Sequence, residues 1–285
     1  MLFVSNFKQG IESTPSIPSW EGRKGELPVQ SSLEVSYTVC KFLETSGRIW
    51  VSNEGVGVKC LIMAGGFGVR LYPLTITQAK ALLEYKGKPL ITYLINKVPR
   101  DMDILVSTNI KFEADFRQWQ KTIDRHVELC VEEDRTEERK KGAVSALNFW
   151  IGKKSIAGDL LVIAGDNYFG FDLTQFIAAY NGNNTLIAIH DIGDRRQASQ
   201  FGVVQLDGYR IAEFEEKPTN PSSSLIAIAC YILPPRIFPL LRQYCSEARR
   251  DNLGSFISHL IEVDEVQGYP FSELWFDIGA KPEQT

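Results

Sequence analysis

The sequence predicts an α/β protein, with a mostly parallel central sheet that carries helices on both faces. Short apolar runs rich in β-branched residues recur from residue 58 onward, a pattern typical of buried strands. Amphipathic helical segments lie between these runs, and strand alternating with helix indicates βαβ units with parallel strands. A chain of 285 residues, 44% of them hydrophobic, has enough material to bury the core of such a fold.

Five apolar runs are predicted as buried strands and four amphipathic segments as helices. The strands are Val58–Met63, Ile104–Ser107, Val127–Val131, Leu160–Ala164 and Leu186–His190, and the helices cover 89–98, 112–123, 142–153 and 173–180. Two alternating runs surround Asp207 and Gly208 within 201–218, which predicts a β-hairpin. A further apolar run at 224–235 predicts one more strand.

The first 57 residues differ in character from the rest of the chain. Residues 1–30 are rich in Ser, Pro, Gly and Glu and show no sustained hydrophobic period, a composition that does not build a packed core. We therefore divide the chain into an N-terminal appendage, 1–57, which is poorly structured or stems from a misassigned start, and one domain, 58–285.

Composition excludes several classes of protein. A net charge of -4 with mixed signs argues against a general nucleic-acid binder. Five scattered cysteines without a C-x-x-C pair argue against a disulfide framework or a zinc site, and favour a reducing cytoplasm. The first residues do not resemble a signal peptide, and no apolar run approaches the roughly 18 residues of a membrane span. We expect a cytoplasmic protein with no nucleic-acid or membrane partner, whose oligomeric state, a homo-oligomer included, stays open.

A glycine-rich stretch with two cations, "MAGGFGVRLYPLTITQAK" (63–80), follows the first predicted strand. Ligands of open α/β sheets bind at the carboxyl ends of the strands, where glycines allow close approach and backbone N–H groups form anion sites. Arg70 and Lys80 add the charges that hold a polyphosphate. The spacing fits neither the P-loop nor the dinucleotide fingerprint, because Leu71 follows Arg70. A purely structural turn is the alternative.

This stretch resembles the signature of the sugar nucleotidyltransferases, the sugar-1-phosphate thymidylyl- and uridylyltransferases. Their pattern is roughly A-G-G-x-G-[ST]-R-L-x-P-L-T, a spacer, then P-K-x-L, and the resemblance extends from Val58 to Asp277. It implies a Rossmann-like nucleotidyltransferase fold, similar to that of a glucose-1-phosphate thymidylyltransferase. Val69 and Ala79 depart from the family pattern, which has a small hydroxyl residue and a proline at these positions.

The resemblance assigns the nucleotide end of the site. It implies catalytic roles for Arg70, which grips the triphosphate, and for Lys80, which reaches the α-phosphate. The nucleotide-binding residues that it implies are Ala64, Gly65, Gly66, Gly68 and Gly142, the last of these against the base. Ser145 is the nearest candidate for reading the base.

Two aspartates are expected to hold Mg²⁺. Asp166 ends a buried strand in "LLVIAGDNYFG", where a carboxylate is well placed for a hard cation, although an ordinary turn is the alternative. The family's G-D-N and W-x-D-[IT]-G segments imply that Asp166 and Asp277 share the metal. A helix N-cap is the alternative for Asp277, and Ala280 replaces the family's hydroxyl residue.

The predicted hairpin resembles the sugar-binding part of the family, with its Y-G-V-V and E-K-P segments. The resemblance implies that Gly202, Glu216 and Lys217 bind the sugar phosphate. Without it, Glu216 and Lys217 are a solvated strand end. "DNLGSFISHLIE" also resembles a family segment, with a helix cap as the alternative for Asp251.

The function that follows is Mg²⁺-dependent transfer of a nucleotidyl group from an NTP, dTTP or UTP favoured, to a sugar-1-phosphate, which gives an NDP-sugar and pyrophosphate. Two alternatives remain. One is a catalytically silent homologue that binds nucleotide sugars in a regulatory role. The other is a cytidylyltransferase of the same fold that uses phosphocholine. The family also continues into a further helix beyond the point where this sequence stops, at Thr285.

Overall fold

The computed structural model describes residues 58–133, 141–247 and 251–279. The N-terminal appendage predicted for 1–57 and the departure at Ala280 lie outside the described residues. All cysteines in the described part are free: Cys60, Cys130, Cys230 and Cys245. Within these ranges, no helix has both the length and the apolar character needed to cross a membrane.

The described residues form thirteen strands and six α-helices. The strands are β1 Lys59–Met63, β2 Glu84–Tyr85, β3 Lys88–Pro89, β4 Asp103–Asn109, β5 Glu128–Glu132, β6 Leu160–Ala164, β7 Asn167–Phe169, β8 Thr185–Asp191, β9 Gly202–Asp207, β10 Arg210–Glu216, β11 Leu225–Leu233, β12 Val266–Phe271 and β13 Trp275–Asp277. The helices are α1 Leu90–Lys97, α2 Glu113–Gln120, α3 Ala143–Lys153, α4 Leu173–Ala178, α5 Phe238–Ser246 and α6 Leu253–Val263. Every predicted strand and helix overlaps one of these elements. Helix α5, strand β12 and the short strands β2, β3, β7 and β13 were not predicted from the sequence.

Nine strands form one sheet in the order β5-β4-β1-β6-β11-β8-β12-β10-β9. The pairings make β5, β4, β1, β6, β8, β12 and β9 run in one direction, with β11 and β10 opposed to them. The prediction of a mostly parallel sheet is confirmed, with two antiparallel strands inserted. Because β5, β4, β1 and β6 are parallel neighbours, their carboxyl ends lie along one edge of the sheet.

The predicted hairpin is confirmed as the antiparallel pair β9–β10, with Gly202 opposite Glu216 at its open end. Gly208 in the turn has a φ of 60°, the left-handed conformation that a tight hairpin turn requires and that glycine adopts without strain. β9 also pairs with β11, Gly202 lying opposite Ala227. This second pairing fixes the hairpin to the body of the sheet.

Two hydrophobic cores lie on opposite faces of the sheet, as the alternation of side chains along β1 shows. Ile62 belongs to the core that packs against α1, α2 and α4, whereas Leu61 belongs to the core beneath α3, α5 and α6. Leu94 of α1 and Trp150 of α3 are buried, one in each core. Helices on both faces are therefore confirmed, and the sheet edge between them is left for the site.

The Leu94 side chain tests the packing of the first core. It is 0% exposed, so Leu94→Ala should leave a cavity and lower the free energy of unfolding by about 2–5 kcal/mol. Leu74, which is 62% exposed, is the matched control, and its change to alanine should alter that free energy by less than about 0.5 kcal/mol. Urea unfolding followed by circular dichroism measures both, and equal effects would contradict the packing described.

Candidate active site

The loop after β1 lies at the shared carboxyl edge of the parallel strands, and its backbone is held by neighbouring side chains. Asn109, at the end of β4, donates from Nδ2 to the carbonyl oxygen of Gly65 over 2.9 Å. The buried Thr75 hydroxyl donates to the carbonyl oxygen of Gly68 over 2.6 Å. Gly68 has a φ of 65°, so the loop turns through a conformation that other residues rarely adopt. The loop is therefore fixed in shape before any ligand binds.

The surroundings of Gly65 and Gly66 in this loop differ. A Cβ on Gly65 would lie 3.0 Å from Oε1 of Glu132, a buried carboxylate at the end of β5. A Cβ on Gly66 would meet nothing within 4 Å, and Gly66 is exposed. Ala64, by contrast, is 8% exposed and packs in the core. Packing accounts for Gly65, whereas the open space beside Gly66 is where a ligand could approach the backbone.

The two departures from the family pattern leave the local backbone compatible with it. Val69 is 40% exposed on a single 3₁₀ turn, Val69–Leu71, so its side chain fills no core position. Ala79 has φ -64° and ψ 140°, and this φ is the one that the proline ring imposes. The backbone that carries Lys80 therefore has the shape that a proline would give it.

Lys80 joins the two predicted metal ligands. Its ammonium contacts Oδ2 of Asp166 over 2.7 Å and Oδ1 of Asp277 over 2.8 Å. The Lys80 side chain is only 16% exposed, and those of Asp166 and Asp277 are 35% and 25% exposed. The structure thus brings three charged groups into contact. Their part in one reaction was predicted from the sequence, whereas their contact was not.

A two-stranded sheet, β7–β13, sets the distance between the carboxylates. Asp277 lies opposite Asn167 in its register, and the Ile278 N–H donates to the Asp166 carbonyl oxygen over 3.0 Å. The Asn167 amide donates to Oδ1 of Asp166 over 3.0 Å and accepts from the Trp275 indole over 2.8 Å. Backbone pairing thus fixes the separation of the aspartates, and Asn167 with Trp275 fixes the orientation of one carboxylate.

Burial and mutual repulsion set the protonation of this cluster. Burial raises the pKa of Asp277 and repulsion from Asp166 raises it further, while the ammonium of Lys80 and the N–H of Gly279 oppose both effects. Burial by itself lowers the pKa of Lys80, but attraction to the two carboxylates outweighs it, so the pKa of Lys80 ends above its usual value. Lys80 is therefore charged at neutral pH, as its predicted role requires.

The carboxylate pair suits Mg²⁺ as part of a larger ligand set. Among the described residues, no group of three or more His, Cys, Asp or Glu side chains converges on one point. Asp166 and Asp277 nevertheless converge on one cation, the ammonium of Lys80. Mg²⁺ in proteins is commonly held by one or two carboxylates together with substrate phosphates and water. The residues present fit that arrangement and do not form a self-sufficient metal cage.

Gly142 is linked to a distant aspartate. Asp251 accepts from the backbone N–H of Gly142 over 3.0 Å and from that of Ser145 over 2.9 Å, so it caps the N-terminus of α3. A Cβ on Gly142 would lie 2.2 Å from Cγ of Asp251, which explains the glycine by packing. Asp251 thus caps a helix distant in sequence, and the alternative of a cap on the helix that follows it is wrong, because Asn252 caps α6. A contact of Gly142 or Ser145 with a base stays a prediction.

The hairpin end lies close to the carboxyl end of β6. Cys230 of β11 pairs with Ile163 near the end of β6, and Ala227, a few residues away on β11, pairs with Gly202. A Cβ on Gly202 would lie 2.4 Å from the ring of Phe214, so packing alone requires this glycine. Its predicted contact with sugar stays a prediction.

Glu216 and Lys217 adjoin the start of α6. The Lys217 ammonium lies 3.8 Å from Oε1 of Glu216, and the Lys217 side chain is 48% exposed. A Cβ on Gly254 would lie 1.9 Å from Oε2 of Glu216, so α6 begins against this carboxylate. Burial raises the pKa of Glu216, and Lys217 opposes the shift. Residues 251–254 thus contact both the predicted nucleotide end and the predicted sugar end of the site.

Arg70 lies apart from this cluster. It is exposed on its 3₁₀ turn, and its guanidinium makes no ion pair with any residue that the structure describes. Four further residues at the site were not predicted from the sequence: Glu132, Asn167, Trp275 and Gly254. Two signals were available: Glu132 is an acidic residue at the end of an apolar strand, and Trp275 precedes Asp277 by two positions.

Comparison with known proteins identifies relatives. The family described as nucleotidyl transferase matches residues 59–283. A putative mannose-1-phosphate guanyltransferase of Sulfolobus acidocaldarius is 29% identical over 232 residues, which is 78% of this chain and 60% of the relative. The bifunctional protein GlmU of Methanococcus aeolicus is 29% identical over 223 residues, which is 77% of this chain and 51% of the relative. The chain thus spans about half to three fifths of the length of these relatives.

Solved structures share the fold. A putative glucose-1-phosphate thymidylyltransferase from Bacillus anthracis, in complex with sucrose, superposes with a TM-score of 0.67 at 23% identity, over 78% of this chain and 90% of that one. A UDP-glucose pyrophosphorylase complexed with UDP-glucose gives a TM-score of 0.64 at 20% identity, over 79% of this chain and 94% of that one. At these identities the likeness establishes the architecture.

Asp251→Ala tests the cap on α3. The change removes the acceptor for two backbone N–H groups and should lower the free energy of unfolding by about 0.5–2 kcal/mol. Asp124→Ala is the control, because Asp124 is 80% exposed and makes only a surface pair with Arg100, so its loss should change that free energy by less than about 1 kcal/mol. Thermal unfolding of both variants measures these changes. If Asp251→Ala is as stable as the unmodified protein, the cap contributes nothing to stability.

Proposed function

The chain belongs to the nucleotidyl transferase family, and from this premise we propose that it transfers a nucleotidyl group from an NTP to a sugar-1-phosphate. The products are an NDP-sugar and pyrophosphate. The observation that carries the proposal is the convergence of Lys80, Asp166 and Asp277 beside the glycine loop. The names of the curated relatives, mannose-1-phosphate guanyltransferase and the bifunctional GlmU, support a reaction of this class.

The reaction is a displacement at the α-phosphorus of the NTP. An oxygen of the sugar-1-phosphate forms a bond to that phosphorus, and the bond to the bridging oxygen of pyrophosphate breaks. The nucleophile is already an anion, so no strong general base is needed. The difficulty is electrostatic, since one anion must approach another, and positioned cations and N–H donors are the usual solution.

Each predicted group has a position suited to this chemistry. The N–H groups of the glycine loop and the exposed guanidinium of Arg70 can hold the β- and γ-phosphates, which leave as pyrophosphate. Lys80, which is charged at neutral pH, would meet the α-phosphate at the carboxyl edge of the sheet. Lys217, half-exposed at the hairpin end, can hold the phosphate of the sugar.

We propose Mg²⁺ as the cofactor and Asp166 with Asp277 as the protein groups that hold it. When bound, the metal would neutralise negative charge on the phosphates. The carboxylates contribute a fixed separation, set by the β7–β13 pairing, and a fixed orientation of Asp166, set by Asn167.

One observation bears on the identity of the base. The sequence motif favours dTTP or UTP, whose bases present a single N–H between two carbonyls. A relative named as a mannose-1-phosphate guanyltransferase supports a guanine base, so GTP joins dTTP and UTP as a proposed substrate.

Pyrophosphate release distinguishes the proposal from its alternatives. The full chain is mixed with Mg²⁺ and each of GTP, UTP, dTTP, CTP and ATP, together with glucose-1-phosphate, mannose-1-phosphate, N-acetylglucosamine-1-phosphate or phosphocholine. Release with a sugar-1-phosphate supports the proposal, and release with CTP and phosphocholine alone supports the cytidylyltransferase. Binding of an NDP-sugar without release in any mixture supports the silent regulatory homologue.

Lys80→Ala tests the role of the central cation. Loss of one charge from the transition state should lower kcat by roughly 10²–10³-fold. Lys121→Ala removes an exposed lysine from the end of α2 and serves as the control, with an expected kcat close to that of the unmodified protein. Circular dichroism confirms that both variants are folded. A folded Lys80→Ala variant with near-normal turnover would remove Lys80 from the mechanism.

A further inference from the structure

The ammonium of Lys80 takes the position that a shared metal ion would need. It contacts one oxygen of Asp166 and one of Asp277, the two carboxylates proposed to hold Mg²⁺. A cation bound by these same two oxygens would lie between them, where Nζ now lies. Two cations do not share such a position, because they repel each other and overlap in space.

A second observation shows that the chain makes room for this arrangement. A Cβ on Gly279 would lie 2.1 Å from Nζ and 2.6 Å from Cε of Lys80. The φ of Gly279 is not in the left-handed region, so its backbone does not itself require glycine. The absence of a side chain at this position is therefore what admits the ammonium of Lys80 between the carboxylates.

The backbone of Lys80 is fixed, whereas its ammonium can move. The 3₁₀ turn Lys80–Leu82 buries Ala81 and Leu82, and Ala79 before it is also buried. The four-carbon side chain of a lysine can redirect its ammonium while the Cα stays in place. The phosphates of an NTP at the adjacent glycine loop would supply a competing polyanion for that charge.

We propose that Lys80 is the internal counter-ion of the Asp166–Asp277 pair in the nucleotide-free protein, and that it must leave the pair before a divalent cation can bind there. The free protein then binds a divalent cation poorly at this pair. The nucleotide draws Lys80 toward its phosphates and delivers the remaining oxygen ligands of the metal. Nucleotide and metal bind as one unit, and Lys80 changes partner between the resting and loaded states.

The exchange of partners by Lys80 rests on the proposed function for its biological meaning, but it can be tested without a substrate. Mn²⁺ binding to the full chain without nucleotide is measured by titration calorimetry and by the electron paramagnetic resonance of free Mn²⁺. Lys80→Met keeps a side chain of similar length without the charge, and should raise the affinity for Mn²⁺ by about tenfold or more. Lys121→Met, which removes an exposed ammonium at the end of α2, is the control and should leave the affinity unchanged.

Two further variants keep the test decisive. Adding Asp277→Asn to Lys80→Met should abolish the gain, which assigns the Mn²⁺ to this pair. Lys80→Gln also removes the charge, keeps a polar side chain beside the carboxylates, and should likewise raise the affinity. If Lys80→Met fails to fold, the folded Lys80→Gln variant decides.

The proposal is overturned if folded Lys80→Met, or in its place Lys80→Gln, binds Mn²⁺ no more tightly than the unmodified protein. It is also overturned if the gain survives Asp277→Asn. The outcome is separable from the proposed function. A gain in affinity without turnover of any NTP and sugar-1-phosphate keeps Lys80 as the counter-ion and rejects the activity. Turnover without a gain in Mn²⁺ affinity keeps the activity and rejects Lys80 as the counter-ion.

Discussion

Two carboxylates held close together in a partly buried position repel each other, so their arrangement requires a cation between them. Asp166 and Asp277 come from distant parts of the chain, and Lys80 reaches both. The surrounding architecture serves this contact: β6 delivers Asp166 to the sheet edge, and the β7–β13 pairing fixes Asp277 beside it. The same balance of charges suits the transfer of an anionic group. In such a reaction, cations and anions change partners at one site without a large rearrangement of the protein.

The start of α6 has a comparable organising role on the other side of the site. Asp251 caps α3 beside Gly142, and Gly254, close behind it, packs against Glu216. One short segment therefore sets the position of both the predicted nucleotide end and the predicted sugar end. A shift of α6 would move the two together, so their spacing is a property of this helix as much as of the sheet.

The fold was largely predictable from the sequence because strand and helix patterns are local. Buried strands such as β1 and β6 read as continuous apolar runs, and the Asp207-Gly208 turn marked the hairpin. The short strands β7 and β13 were not predicted, since three residues carry no period. Their pairing is nonetheless what sets the distance between the aspartates, and a contact between remote segments leaves no local pattern.

Site residues were predictable in identity but not in arrangement. The motif named Lys80, Asp166 and Asp277, whereas their mutual contact depends on tertiary structure. Gly142 and Gly202 show a different limit. A glycine that admits a ligand and a glycine that admits a neighbouring side chain look alike in sequence, and here Asp251 and Phe214 occupy the space beside them.

The backbone of Ala79 has a consequence for the unfolded chain. With φ at -64°, the folded protein already has the conformation of the proline found in the family pattern, and no backbone hydrogen bond from the Ala79 N–H is present among the described residues. Alanine in place of proline at position 79 therefore acts mainly on the unfolded chain, because an alanine samples many backbone conformations there and a proline samples few. Ordering the approach to Lys80 costs this chain about 0.4–1 kcal/mol more in conformational entropy than a proline there would require.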